Sequence, residues 1–256
     1  MAKKQYYEQI EYTNSYLLPF FKNNIPGFEN LPVIKPGLKV LEVGCAEAGF
    51  LRVLKDLGIE TLGIELDNSR AKMALEENPG LQIIIGDITD DSLVEKINEQ
   101  FDLVIMREVI EHVPDKEKAF ENLSKLTKEG GFMFMSFPPK FSGFAGHQQV
   151  GRTFLKFTPY IHLLPAFITG ILVKIFNEHS NFVEHIKHNY GTGITISLFE
   201  KLSRKNNFIP VKKMLYLFRP IYKFRFGLPT IPFFNIPVIR EFLAFGCETI
   251  LQKRSK

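Results

Sequence analysis

The sequence contains no tryptophan and only two cysteines, Cys45 and Cys247, among its 256 residues. Two cysteines this far apart exclude a disulfide framework and a cysteine-rich metal site, and free thiols fit a reducing, cytoplasmic setting. Hydrophobic runs are also short. The longest, residues 163–173, is below the roughly 20 residues that cross a bilayer and contains a proline and a glycine. The polar N-terminus does not resemble a signal peptide, so we predict a cytoplasmic protein that is soluble or associated with a membrane surface.

Charge is distributed unevenly along the chain. Residues 1–139 carry 15 Lys and Arg against 23 Asp and Glu, whereas residues 140–256 carry 17 against 5. The second segment also contains 20 of the 33 Phe and Tyr residues. A basic, aromatic half joined to an acidic half favours a small-molecule substrate that is lipophilic or anionic, and peripheral contact with an anionic membrane.

Residues 39–65 read as a strand, a turn of small residues, a helix and a second strand. The turn is GCAEAG at 44–49, and Glu65 ends the second strand 21 residues after Gly44. Small residues let a ligand approach the backbone, and a carboxylate at the end of the second strand can bind the two hydroxyls of a ribose. The dinucleotide motif G-x-G-x-x-G is absent, which disfavours a dehydrogenase.

Strands and helices then alternate to residue 139, which predicts a Rossmann-like α/β fold with a parallel sheet and helices on both faces. We expect an N-terminal helical lead-in or lid at 1–38, broken by Pro19 and Pro26, and a cofactor-binding core at 39–139. A helical insertion after the fifth strand, at 140–192, is expected to cap the substrate. Residues 193–256 complete the sheet and include a basic, aromatic insertion at 219–243.

Four segments together resemble the class I S-adenosylmethionine-dependent methyltransferases, especially the branch of the ubiquinone-pathway O-methyltransferases. They are KVLEVGCAEAGF, GIELD, LQIIIGD and FDLVIMREVIEHVPD, within residues 39–139. The resemblance implies a seven-stranded sheet and S-adenosylmethionine as the cofactor. It also implies cofactor-binding roles for Glu42 and Gly44 at the methionine moiety, Glu65 at the ribose, Asp87 at the adenine amino group, Leu66 and Ile88 beside the adenine ring, and for Cys45, Ala46, Gly49 and Arg107. Family members usually have glycine where this chain has Ala46 and Ala48, and alanine is tolerated there if φ is negative.

Glu108, Glu111 and His112 form the string E-V-I-E-H after the fourth predicted strand. In one interpretation, His112 or Glu111 is the general base that removes a proton from a substrate hydroxyl. In another, the cluster holds Mg²⁺ or another divalent metal that lowers the pKa of the hydroxyl. The resemblance supports the metal, because metal-dependent methyltransferases share this string and add a histidine after the fifth strand, here His147. A third interpretation is purely structural: the acids cap the helix that begins near Pro114.

Three further histidines carry weaker signals. His185 and His188 are expected on a solvated helix face, and His162 could line a substrate pocket. The membrane hypothesis requires Phe224, Phe226, Phe233 or Phe234 to share an exposed face with Lys223 and Arg225.

Three functions therefore remain open. The first is O-methylation of a lipophilic or lipid-linked small molecule. The second is metal-dependent 2′-O-methylation of RNA, which is disfavoured because no RNA-binding module is recognised and the basic residues are mixed with aliphatic ones. The third is a non-catalytic scaffold that retains the methyltransferase fold, for which Ala46 and Ala48 are the hint.

Overall fold

Eight strands form one sheet in the computed structural model, which describes residues 2–29 and 37–255. In chain order they are β1 (Lys39–Val43), β2 (Glu60–Glu65), β3 (Gln82–Ile85), β4 (Phe101–Arg107), β5 (Thr127–Phe137), β6 (Phe208–Phe218), β7 (Ile231–Phe233) and β8 (Gly246–Lys253). Across the sheet the order is β3-β2-β1-β4-β5-β8-β6-β7, with β1 to β5 parallel and β8 antiparallel between β5 and β6. The predicted α/β class is confirmed. The predicted number of seven strands is wrong, because the short β7 pairs with the outer strand β6.

Helices pack on both faces of the sheet, as the alternation predicts. In chain order they are α1 (Ala2–Tyr12), α2 (Leu18–Asn24), α3 (Gly49–Asp56), α4 (Asn68–Glu77), α5 (Asp91–Ile97), α6 (Lys116–Leu126), α7 (Ala166–Ile175), α8 (Phe182–Thr192), α9 (Ile196–Lys205), α10 (Pro220–Phe226) and α11 (Ile239–Leu243). The period of two along β4 separates two cores: Val104 faces a cluster with Phe120 of α6, and Leu103 faces a cluster with Phe50 of α3. A strand buried on both faces explains its continuous apolar sequence.

The N-terminal segment continues through Pro19, so the predicted break there is wrong. A π-helical turn (Thr13–Leu17) joins α1 to α2, and the Leu18 N–H bonds the Thr13 carbonyl. Pro19 lies in the first turn of α2, just after this wider turn. At that position its missing N–H costs the helix no hydrogen bond. Part of the expected lead-in at 1–38, residues 30–36, lies outside the described residues.

Residues 140–192 form a cap with its own small apolar core. Three short 3₁₀ turns precede α7 and α8, and Leu155, Val173 and Phe182 meet between them. The Glu178 carboxylate accepts hydrogen bonds from the backbone N–H groups of Arg152, Thr153 and His179, which ties the first turn of the cap to the α7–α8 loop. Among the described residues, no helix is both long and apolar enough to cross a membrane.

Candidate active site

A pocket of about 450 Å³ lies at the carboxyl ends of the parallel strands. Because the sheet order is β3-β2-β1-β4, the residues that follow these strands are arranged in sequence along it: Asp87, Glu65, Gly44 and His112. Ligands of open α/β sheets bind at this edge. Seven of the expected cofactor-binding residues line the pocket: Gly44, Ala46, Glu65, Leu66, Asp87, Ile88 and Arg107.

Glu65 is held in place by the backbone of the turn it faces. Its Oε2 accepts the Ala46 N–H at 2.7 Å, and its Oε1 accepts the Asp67 N–H at 3.0 Å. Each carboxylate oxygen can accept a further hydrogen bond, so the group remains able to bind a vicinal diol. Only 7% of Glu65 is exposed, which strengthens such bonds by excluding water.

Asp87 and Ile88 occupy the adjacent strand end. Oδ1 of Asp87 accepts the backbone N–H and the hydroxyl of Thr89, at 2.9 and 2.8 Å, which fixes the orientation of the carboxylate. The side chain is exposed toward the pocket, Ile88 is buried, and Leu66 is 68% exposed. A polar acceptor between two aliphatic side chains suits a flat ring that carries an amino group.

Three expected cofactor-binding residues do not line the pocket. Glu42 lies beneath it, where it is ion-paired with Arg107. The thiol of Cys45 is buried against Gly63 of β2, beside Leu51 of α3. Gly49 is covered by α1, since its N–H bonds the Gln9 side chain at 2.8 Å and a side chain at Gly49 would collide with the Tyr6 carbonyl.

Ala46 and Ala48 both adopt positive φ, at 52° and 58°. The condition under which alanine would be tolerated without strain, a negative φ, is therefore not met. The turn keeps the left-handed backbone that glycine usually provides, and the two methyl groups impose a local cost. Retention of this shape despite that cost shows that the packing around the turn determines its conformation.

The structure brings Glu111, His112 and His147 together. Their potential ligand atoms all lie within 4.8 Å of one another, and the two imidazole rings are 4.8 Å apart between centroids. Glu108 is outside this group, so the expected four-residue cluster is reduced to three. Its carboxylate is ion-paired with Arg219 and accepts a 3.1 Å hydrogen bond from Ser136.

The environment of the cluster favours uncharged side chains. Burial, together with the neighbouring Glu108, raises the pKa of Glu111 well above its ordinary value. Both Glu111 carboxylate oxygens are buried without a hydrogen-bond partner among the described residues. Desolvation lowers the pKa of His112, and lowers the pKa of His147 to about 4, so both imidazoles are neutral at pH 7. For Glu108, burial raises the pKa, but Arg219, the Ser136 hydrogen bond and Arg225 together more than compensate, and the net shift is downward.

The cap helix α8 contributes polar side chains that the sequence analysis placed in solvent. His185 is half-buried, and its Nε2 lies 3.2 Å from the amide nitrogen of the buried Asn189. Both residues lie close enough to His112 to influence its pKa. The prediction of a solvated face is wrong for His185, although His188 is exposed. His162 does not line the pocket and is fully buried in the cap, with Nε2 3.2 Å from the Lys140 carbonyl.

The far wall of the pocket comes from α1, within the N-terminal segment expected as a lid, and from the 219–243 insertion, which sequence reasoning had not assigned to the pocket. Tyr12 of α1, Arg219 and Arg225 line it, whereas none of its lining residues comes from 140–192. Arg219 is buried across Gly246, where any side chain would collide with the arginine. The sequence signal for these arginines was the presence of charged residues within an otherwise apolar insertion. That signal did not indicate which edge of the sheet the arginines would reach.

The aromatic residues of the 219–243 insertion divide into two groups. Phe226 and Phe234 are 65% and 76% exposed. Phe224 packs edge-on against Tyr12, and Phe233 packs against the core. Only part of this insertion can therefore contact a membrane.

Known methyltransferases resemble this chain in sequence. Residues 16–182 match the family described as a methyltransferase domain. Ubiquinone biosynthesis O-methyltransferases are among the curated relatives: that of Pseudomonas fluorescens (strain SBW25) is 31% identical over 102 residues, and that of Leptothrix cholodnii 32% over 103. Each alignment covers 39% of this chain and 44% of the relative. The chain thus matches less than half the length of these relatives.

Solved structures share the fold at low sequence identity. The plantazolicin methyltransferase BamL, solved with a triazolic desmethylPZN analog and SAH, is 9% identical, with a TM-score of 0.60 over 98% of this chain and 86% of that one. A TehB-like SAM-dependent methyltransferase from Corynebacterium glutamicum is 15% identical, with a TM-score of 0.52 over 97% and 98% of the two chains. These similarities support the fold and leave the acceptor substrate open.

Proposed function

This chain belongs to the methyltransferase domain family, and on that premise we propose that it transfers the methyl group of S-adenosylmethionine to a hydroxyl of a lipophilic or lipid-linked small molecule. The observation that carries the proposal is the arrangement of Asp87, Glu65, Gly44 and His112 along one pocket. Adenine, ribose and methionine would follow the first three residues in turn. The sulfonium methyl group would then face His112.

His112 is the proposed general base. The hydroxyl oxygen of the acceptor attacks the methyl carbon, the carbon–sulfur bond breaks, and the proton of the hydroxyl passes to the imidazole. A neutral imidazole is needed, and the lowered pKa of His112 provides it at pH 7. Glu111 is a weaker candidate for this role, because burial raises its pKa and favours the protonated form, which cannot accept a proton.

A divalent metal is the alternative way to activate the hydroxyl. Within the described part of the chain, neither buried carboxylate oxygen of Glu111 has a partner, and His112 and His147 are neutral, so the three residues fit a cation. Two imidazoles and one carboxylate suit Zn²⁺ or Mn²⁺ better than Mg²⁺. When bound, such a metal would lower the pKa of the acceptor hydroxyl.

The activity is tested by incubating the purified protein with methyl-labelled S-adenosylmethionine and phenolic or polyprenylated hydroxyl compounds, followed by mass spectrometry. The His112→Ala variant should transfer the label on the order of 10²- to 10⁴-fold more slowly. His179→Ala, in the cap but outside the pocket, is the matched control and should retain the wild-type rate. A wild-type protein that binds neither S-adenosylmethionine nor S-adenosylhomocysteine would instead support a non-catalytic scaffold.

A lipophilic acceptor fits the exposed apolar face of the cap, and we propose that this face contacts an anionic membrane. Phe167, Ile171 and Ile175 occur four residues apart on α7 and are 71%, 54% and 68% exposed. Four-residue spacing places them on one side of the helix. Phe154 extends this ridge, with its ring 6.4 Å from that of Phe176.

Charge supports an anionic bilayer as the partner of this ridge, which consists of Phe154, Phe167, Ile171, Ile175 and Phe176. Residues 140–177 contain four Lys and Arg and no Asp or Glu. Lys156 and Lys174 lie next to the ridge in the sequence, and each basic residue at an anionic surface contributes about 1 kcal/mol. The apolar side chains add a component that persists at higher salt.

Vesicle sedimentation distinguishes this ridge from the aromatic insertion. We expect the wild-type protein to pellet with phosphatidylglycerol-containing vesicles and less with phosphatidylcholine alone. The double variant Phe167→Ser, Ile171→Ser should lose this pelleting, and the matched control Phe226→Ser, Phe234→Ser should keep it. Equal pelleting of the ridge variant and the wild type would contradict the assignment, as would no pelleting of the wild type at low salt.

A further inference from the structure

The short helix α10 forms a fixed wall of the cofactor pocket. It lies beyond the residues 16–182 that match the family, yet Ile221 and Arg225 both line the pocket. Phe224 packs edge-on against Tyr12 of α1, with 5.3 Å between ring centroids, and this contact attaches α10 to the N-terminal helix. Arg225 is thereby presented to the pocket from a packed element rather than from a free loop.

Arg225 differs from the other arginines that line the pocket. Arg70 and Arg219 donate hydrogen bonds to acidic side chains of the pocket wall, and Arg107 donates to Glu42 beneath it. The nearest carboxylate to Arg225 is that of Glu8, with 3.8 Å between Nε and Oε2, which is too long for a hydrogen bond. Among the described residues, Arg225 has no hydrogen-bond acceptor, and its side chain is 49% exposed.

We propose that Arg225 binds a ligand carboxylate at the mouth of this pocket. A guanidinium with free N–H groups matches the two oxygens of a carboxylate in a planar, bidentate pair. The inference rests on the proposed function, under which the carboxylate can belong to either of two ligands. One is the α-carboxylate of S-adenosylmethionine, at the opposite end of the molecule from the adenine expected at Asp87. The other is a carboxylate on the acceptor.

The cofactor source is tested by calorimetry with S-adenosylhomocysteine and with 5′-methylthioadenosine, which lacks the amino-acid tail. If the cofactor is the source, Arg225→Ala should bind S-adenosylhomocysteine roughly tenfold more weakly and 5′-methylthioadenosine as the wild type does. Lys223→Ala, an exposed cation on the same helix that does not line the pocket, is the matched control and should bind both ligands normally.

Glu8 provides a second, independent test, because its carboxylate competes for Arg225. Glu8→Gln removes that competition and should strengthen S-adenosylhomocysteine binding severalfold. In the Arg225→Ala background the same change should have no effect, since a double-mutant cycle isolates the interaction between the two sites. This comparison does not depend on Arg225→Ala being fully native in stability.

The acceptor source is tested in protein saturated with S-adenosylhomocysteine, by comparing the binding of 3,4-dihydroxybenzoate with that of catechol. A loss confined to 3,4-dihydroxybenzoate in Arg225→Ala would assign Arg225 to the acceptor. The inference is wrong if Arg225→Ala binds S-adenosylhomocysteine normally and loses no carboxylate-dependent binding of 3,4-dihydroxybenzoate. Failure of the wild type to bind S-adenosylhomocysteine would instead overturn the proposed function on which the inference rests.

Discussion

The hydroxyl of Tyr16 donates a 2.6 Å hydrogen bond to the carboxylate of Glu248, deep beside the cofactor pocket. The hydroxyl of Tyr12 also donates to the Glu248 carboxylate, at 3.3 Å, and the hydroxyl of Tyr216 lies 2.9 Å from that of Tyr16. Burial raises the pKa of Glu248 to about 7 despite these hydrogen bonds and the nearby Arg219. The carboxyl group therefore changes its charge near neutral pH, which an exposed glutamate does not.

Glu248 should make stability depend on pH in the opposite sense from most acids. Since its pKa is higher in the folded protein than the ordinary glutamate value of 4.5, protonation favours folding. Its contribution is complete below pH 4.5 and is lost as the pH rises through 7. Glu248→Gln should therefore gain stability relative to the wild type across this range, by up to about 3 kcal/mol above pH 7. Urea unfolding without ligand, at several pH values, measures this difference.

Glu178 is a matched control with the opposite sign. Burial raises the pKa of Glu178, but hydrogen bonds from the surrounding backbone N–H groups lower it by more. The net result is a pKa of about 2. Its contribution to stability is present above pH 4.5 and is lost as the pH falls toward 2. Glu178→Gln should thus be destabilised at pH 7 and approach the wild type in acid. Parallel pH profiles for the two variants would contradict both assignments.

Replacing Ala46 with glycine should stabilise the protein, because glycine adopts the positive φ of this position without steric cost. The expected gain in the free energy of unfolding is about 0.5 to 1 kcal/mol, after allowing for the greater flexibility of glycine in the unfolded chain. Ala74→Gly, within α4, is the control and should be destabilised by about 1 kcal/mol. Thermal unfolding compares the two. A destabilised Ala46→Gly variant would show that the methyl group makes a packing contact that outweighs the strain.

Glu65→Ala should weaken the binding of S-adenosylmethionine by on the order of 1.5 to 3 kcal/mol, because hydrogen bonds to a charged group are lost. The same change also frees the Ala46 and Asp67 N–H groups, which adds a structural effect. Glu65→Gln keeps one acceptor oxygen and serves as the control for that effect, with an intermediate loss expected. Calorimetry that gives wild-type affinity for Glu65→Ala would remove Glu65 from the ribose-binding role.

Chelation distinguishes the two ways of activating the acceptor. With His112 as the base, activity should survive treatment with EDTA, and His147→Ala should retain most of the rate. With a metal at the Glu111, His112 and His147 cluster, EDTA and the His147→Ala substitution should each abolish activity. Added Zn²⁺ or Mn²⁺ should restore the activity lost to chelation. Metal analysis of the purified protein by mass spectrometry provides a readout independent of activity.

The order of secondary structure was readable from the sequence because each buried strand carries its own apolar pattern. The alternation of strands and helices predicted up to residue 139 is confirmed by β1 to β5 and the helices between them. The short β7 was missed because three residues with Pro232 among them carry no strand periodicity. The continuous N-terminal helix was missed because proline is compatible with a first helical turn.

The sequence alone determined the parallel part of the sheet and the acids that follow its strands. Parallel strands end at one edge, so Glu65 and Asp87 had to meet whatever the rest of the chain did. Tertiary structure alone decided the partners of the E-V-I-E-H residues. Arg219 binds Glu108 from 111 residues away and removes it from the predicted metal set. Local sequence patterns indicate which face of a helix or strand is buried. A contact between charges that are distant in the sequence depends on how the insertions pack, and that packing leaves no periodic signal in the sequence.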